Sequence, residues 1–139
     1  MQIKFTSVMV KDQDAALRFY TEALGFKKMA DIPMGEYRWL TVVSPDGIKG
    51  VELVLEPMGF EPARVYQQAL FDAGIPAIAL ITDDIQAECS RLKKRGVVLR
   101  GEPENMGAIT AVKFEDTCGN LVNLVQPEPR TQRGDIQGG

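Results

Sequence analysis

The chain opens on a β-type pattern. Ile3, Phe5, Val8, Met9 and Val10 lie in a run rich in β-formers, which predicts a strand over residues 3–10. The period then lengthens. Ala16, Phe19, Tyr20, Ala23 and Leu24 recur at helical spacing and predict one apolar helix face. Asp12 stands at the N-cap position, Asp14 complements the dipole in the first turn, and Gly25 supplies the stop. Strand-like segments follow around residues 27–31, 37–43 and 50–55, with Ser44-Pro45-Asp46-Gly47 as a turn between the last two. A connector occupies residues 56–74. Within it Pro62 suits the first turn of a helix, and Val65, Tyr66, Ala69 and Leu70 fall on its apolar side.

The same order then returns. Residues 77–82 form an apolar run that predicts a strand buried on both faces. Asp84 caps a helix whose Ile85, Cys89 and Leu92 share a face, and Gly96 ends it. Strands are predicted near residues 97–100, 109–114 and 121–126, with Asp116-Thr117-Cys118-Gly119-Asn120 as the turn before the last. Laid on itself, the chain matches Asp12 to Asp84, Gly25 to Gly96, Pro33-Met34-Gly35 to Asn105-Met106-Gly107, and Glu52-Leu53-Val54 to Asn123-Leu124-Val125. The predicted fold is α+β, with two tandem βαβββ modules in one domain over residues 1–127. Module one spans 1–56, a linker helix region 57–74 and module two 75–127; a loose tail is expected over 128–139. A helix covers one face of each sheet, so the two other faces are expected to make a concave trough.

Composition narrows the function. A net charge of −3 with scattered Lys and Arg gives no basic stripe, which argues against nucleic acid. No apolar run reaches membrane-span length, and because Met1-Gln2-Ile3-Lys4-Phe5 already reads as a strand, no signal peptide is expected. Cys89 and Cys118 lie outside any CxxC motif and are expected to be free thiols in a reducing cytoplasm. The chain has no histidine, which excludes Ser-His-Asp and Cys-His catalysis and every His-containing zinc site.

Several motifs carry a family resemblance. They are Val10-Lys11-Asp12, Ala16-Leu17-Arg18-Phe19-Tyr20-Thr21 and Leu24-Gly25-Phe26 in the first copy. In the second they are Asp83-Asp84-Ile85, Leu92-Lys93-Lys94-Arg95-Gly96-Val97 and Phe114-Glu115-Asp116-Thr117-Cys118-Gly119-Asn120-Leu121. Together, in order over residues 3–126, they resemble the vicinal oxygen chelate superfamily. That superfamily includes glyoxalase I, bleomycin-resistance proteins, fosfomycin-resistance enzymes and extradiol dioxygenases. The resemblance implies a divalent metal on the concave face, held by His, Glu or Gln from the first and last strand of each copy. Those positions are Phe5, Glu52, Ala77 and Asn123, of which only Glu52 is a usual ligand. No metal and no cofactor are therefore expected.

Alternation places further residues in the trough: Phe5, Ser7 and Met9, Ala77, Ala79 and Ile81, Glu52, Val54 and Glu56, and Leu121, Asn123 and Val125. Trp39 or Arg38 joins them from the third strand; alternation alone does not choose between the two. This mostly apolar set, with a few polar points, suits a small molecule. Phe5, Ser7, Met9, Arg38, Trp39, Ala77, Ala79 and Asn123 are the candidate ligand-binding residues. Glu52 is the candidate catalytic group, a desolvated carboxylate with a raised pKa in one reading and a solvated strand residue in the other. Phe5 and Met9 also read as plain core. Cys118 lacks the electropositive setting of a nucleophile. The leading expectation is a metal-independent homodimer that binds a small molecule in an apolar trough, as bleomycin-resistance proteins sequester a drug. The alternatives are a lyase, isomerase or dioxygenase using Glu52 as base or a metal weakly held by Glu52 and Asn123, and a structural or regulatory dimer.

Overall fold

In the computed structural model, which describes residues 1–129, Asp12 caps the first helix. Its carboxylate accepts from the backbone N–H groups of Asp14 at 2.8 Å and Ala15 at 3.0 Å. Residues 130–139, most of the expected loose tail, lie outside the described residues. The helix α1 (Gln13–Arg18) runs on through a π-helical segment, Phe19–Ala23, and the chain then leaves it at Gly25, whose φ of 79° suits glycine. The second copy starts in the same way: Asp84 caps α3 (Ile85–Lys94) by accepting from the Ala87 N–H at 3.0 Å.

Each copy builds one four-stranded sheet. In the first, β1 (Phe5–Val10) lies parallel to β4 (Glu52–Pro57), followed by β3 (Tyr37–Val43) and β2 (Lys27–Met34), giving the order β1-β4-β3-β2. In the second, β5 (Ile78–Ile81) lies parallel to β8 (Leu121–Pro127), followed by β7 (Ile109–Glu115) and β6 (Leu99–Asn105), giving β5-β8-β7-β6. This is the predicted duplicated α+β architecture. The strands β2 and β6 extend past their predicted ends despite Pro33 and Pro103. Both are edge strands, where a missing N–H is tolerated. Gly35 and Gly107, paired by the sequence repeat, both take positive φ in the turns that follow.

Two expectations need correction. The strand β5 is not buried on both faces. Its exposure alternates and Ile81 is 71 % exposed, because β5 edges its sheet and only one side of that sheet is covered. The repeat also slips on the last strands. Phe5 lies opposite Glu52, whereas the N–H of Ala77 donates to the carbonyl of Leu121, and Asn123 lies opposite Ala79. Glu52 therefore corresponds in space to Leu121, not Asn123. The connector before β4 is longer than the one before β8, which shifts the register by one side-chain period.

One core joins the modules. Val8, Val10, Leu40, Val42 and Leu55 from the first sheet meet Val112, Phe114, Val122 and Leu124 from the second, with Ala16, Phe19, Tyr20, Ile85, Cys89 and Leu92 from the helices. Phe19 reaches across to Phe114, with ring centroids 6.3 Å apart. Burial of each large apolar side chain contributes about 1.5–3 kcal/mol. A polar seam fixes the same junction. The Tyr20 hydroxyl donates to Asp116 Oδ2 at 2.6 Å, and Asn120 Nδ2 donates to the Met9 carbonyl at 2.8 Å. The linker helix α2 (Glu61–Asp72) joins in through Gln67, whose Nε2 donates to the carbonyls of Met9 and Cys118 and to Asn120 Oδ1. So α2 turns Gln67 inward, while Val65 and Tyr66 from its predicted apolar side stay exposed. No helix among the described residues is long and apolar enough to cross a membrane.

Candidate functional site

The contacts between modules described above lie on the helix-covered sides of the sheets and at the end of β1. Each sheet is thus left with an open face, and the expected trough is divided into two surfaces, one per module. Alternation decides what stands on them. On β1, Val8 and Val10 go to the core while Phe5 and Ser7 are exposed and Met9 is half-buried. On β3, Leu40 and Val42 go to the core while Trp39 and Thr41 share the open face with Glu52, Val54 and Glu56 of β4. On β2, Ile32 and Met34 lie opposite Trp39 and Tyr37 and are more than half exposed.

Phe5 and Trp39 pack edge to face with centroids 5.3 Å apart, leaving Phe5 48 % exposed. Phe5 is therefore not plain core. Beside this pair stands Glu52, only 8 % exposed. Its Oε1 accepts from the Thr41 hydroxyl at 2.7 Å, and its Oε2 pairs with Lys4 Nζ at 3.2 Å. The Thr41 hydrogen bond holds the Glu52 carboxyl below its ordinary range; burial opposes this, and Lys4 adds to it. The expectation of a raised pKa is overturned. Desolvation is outweighed by a buried donor and a cation, so Glu52 is an ionised acceptor and a poor general base near neutral pH. Ser7 donates to Glu56 Oε1 at 3.4 Å.

Arg38 does not join this set. Its side chain lies on the other side of β3, paired with Asp31 at 3.0 Å and Asp14 at 2.5 Å, and these partners raise its pKa. Trp39 is thus the member of the pair that faces the candidate site. Ala77, Ala79 and Asn123 share the open face of the second sheet with Ile81 and Val125, and Asn123 lies opposite Lys113. The candidate residues thus fall into two groups, Phe5, Ser7, Met9, Trp39 and Glu52 on one sheet and Ala77, Ala79 and Asn123 on the other.

The family's metal positions do not fit a divalent ion in this chain. Phe5 and Ala77 offer no donor atom, and both oxygens of Glu52 are engaged. Among the described residues no group of three or more His, Cys, Asp or Glu side chains could hold a metal. Cys118 is 1 % exposed, and burial followed by the neighbouring Asp116 pushes its thiol up to about 11, so it is no nucleophile.

The sequence reading missed Thr41 and Lys4. Thr41 was within reach of it, being two residues beyond Trp39 on the same alternation. Lys4 precedes the strand, and no periodicity marks it.

A duplicated βαβββ body, with its helices toward a shared core and one open sheet face per module, defines a class of α+β proteins. Within that class, the chain belongs to the Glyoxalase/Bleomycin resistance protein/Dioxygenase superfamily, whose family model matches residues 2–124. It is 52 % identical over 126 residues to YurT, an uncharacterized protein of Bacillus subtilis (strain 168), covering 91 % of this chain and 99 % of YurT. Among solved structures it resembles UcmS2, with a TM-score of 0.77 and 32 % identity, covering 90 % of this chain and 97 % of that one. It also resembles TnmS3, an antibiotic binding protein from Streptomyces sp. CB03234. There the TM-score is 0.73 and the identity 33 %, covering 92 % of this chain and 97 % of that one.

Proposed function

We propose that this chain binds an apolar or aromatic small molecule on the open face of its first sheet, without a divalent metal. The observation that carries this reading is the half-exposed Phe5–Trp39 pair beside a buried, ionised Glu52 on an uncovered sheet face. The likeness to TnmS3, named an antibiotic binding protein, supports it. A base-catalysed reaction through Glu52 is disfavoured by its lowered pKa. The two buried, free thiols accord with a cytoplasmic protein.

The site is completed by a second copy. Each chain carries one open face of each kind, so the first sheet of one copy can face the second sheet of its partner, and a two-fold dimer covers all four. Ala79 and Asn123 then line the ligand from across the interface. Exposed Ile81 on one face and Phe5, Ile32 and Met34 on the other supply apolar area.

Trp39 is the sole tryptophan, so intrinsic fluorescence reports directly on the site. Titration with a panel of antibiotics and aromatic metabolites is expected to give saturable changes that Phe5→Ala weakens. If no compound perturbs Trp39 emission or the melting temperature, the reading fails. Protein purified without a His tag is expected to hold no stoichiometric transition metal; a metal lost in Glu52→Gln would overturn that part. Ile81→Asp is expected to yield monomers in sedimentation and to weaken binding. Unchanged dimers would refute the facing-sheet arrangement, as would a wild-type monomer.

A further inference from the structure

Acidic groups stand in the middle of the open face of the first sheet. Glu52 and Glu56 lie on the interior strand β4, while the sheet's own lysine on that side, Lys27, stands opposite Val43 at the start of the edge strand β2. The cation that reaches Glu52 comes from outside the sheet. Lys4 precedes β1 in a stretch with no regular structure, and its side chain is about half exposed. From there it folds over to place Nζ 3.2 Å from Glu52 Oε2 and 5.8 Å from the centroid of the Phe5 ring. The ammonium thus touches at once the buried carboxylate and the aromatic surface of the candidate site.

We infer that Lys4 is a built-in, displaceable counter-ion, and that the site selects aromatic ligands bearing a cationic nitrogen, which takes the place of the Lys4 ammonium on Glu52. This rests on the reading of that face as a small-molecule site. The two oxygens of Glu52 divide the work. Oε1 is held by the fully buried Thr41 hydroxyl and keeps the carboxylate in place. Oε2 is held only by a flexible, half-exposed side chain that returns to water at little cost. An arriving ammonium or amidinium replaces Lys4 without any proton transfer, and its ring packs against Phe5 and Trp39. A neutral ring would leave Lys4 in place and gain only the packing. A ligand anion arriving at Oε2 would face the Glu52 carboxylate itself and be rejected there.

Two planar dyes of matching shape test this: proflavine, a cation at neutral pH, and acridine, neutral there. Calorimetric titrations on the wild type, Lys4→Met and Glu52→Gln separate the terms. Wild type is expected to prefer proflavine by about tenfold or more, the worth of a charge-assisted hydrogen bond. Lys4→Met removes the competing ammonium and is expected to tighten proflavine about two- to fivefold, as for a half-exposed ion pair, with acridine unchanged. Glu52→Gln is expected to abolish the preference and leave acridine binding. Equal affinities in the wild type sink the charge selection while the small-molecule reading survives. Proflavine binding that is unchanged or weaker in Lys4→Met sinks the role of Lys4, and because Lys4 is half exposed that variant folds. Binding of neither dye overturns both the inference and the reading beneath it.

Discussion

The Thr41 hydroxyl is the donor that holds the Glu52 carboxyl below its ordinary range, and Thr41→Val tests this with almost no change in side-chain volume. Thr41 is fully buried and donates to Glu52 Oε1 at 2.7 Å, while Glu52 is 8 % exposed and has Lys4 as its other partner. A hydrogen bond to a charged group contributes about 1.5–3 kcal/mol, and the carboxylate oxygen left behind would be poorly solvated. For a domain of this size the expected fall in Tm at neutral pH is roughly 5–10 °C. The pH dependence carries the sharper signature. The folded Glu52 titrates below its ordinary value of 4.5. Its contribution is therefore complete above that value and is lost as pH falls through the lowered one. Thr41→Val moves the pKa back up, so the stability difference from wild type is largest at neutral pH and shrinks in acid. Urea unfolding over a pH series, with carbon-detected titration of Glu52, measures both. A destabilisation of equal size at every pH, or a Glu52 pKa that does not rise, would refute the reasoning.

Three further outcomes follow from the seam and the buried thiol. Tyr20→Phe removes a 2.6 Å donor from Asp116, which keeps Asn120 Nδ2 and the N–H groups of Cys118 and Asn120. The expected cost is about 1–3 kcal/mol by urea unfolding. Gly119→Ala puts a Cβ 2.5 Å from Gln67 Oε1 at a φ of 99°, with an expected cost of about 1–3 kcal/mol, and Gln67→Ala in the same chain is expected to relieve part of it. Cys118, buried and with its thiol pushed up to about 11, is expected to react with a disulfide reagent only as fast as the protein opens; rapid reaction of the native protein would contradict this.

Much of the fold was legible because local rules sufficed. Asp12 and Asp84 mark helix starts through their own side chains, Gly25 and Gly96 mark helix ends, and Ile85, Cys89 and Leu92 share a face by spacing alone. The long-range seam was not legible. Tyr20 and Asp116 are 96 residues apart, and nothing in either neighbourhood announces the bond. Gln67 reads as the polar side of an amphipathic helix, yet it is the residue of α2 that is buried, because the turn at Cys118–Asn120 and the end of β1 present it with acceptors.

By itself the sequence determined the duplication, the βαβββ order, the strand alternation and the poor fit of the metal positions, since each follows from short-range periodicity or side-chain chemistry. Tertiary structure alone decided the rest. Packing set which sides of the sheets joined, leaving the two open faces apart. Connector length set the register that matches Glu52 to Leu121, and the side of β3 on which Arg38 finds Asp31 and Asp14 left Trp39 to the site. The direction in which the Glu52 pKa moves was decided there too, because a carboxylate's pKa depends on the donors the fold brings to it, here a buried threonine and a lysine from beyond the strand.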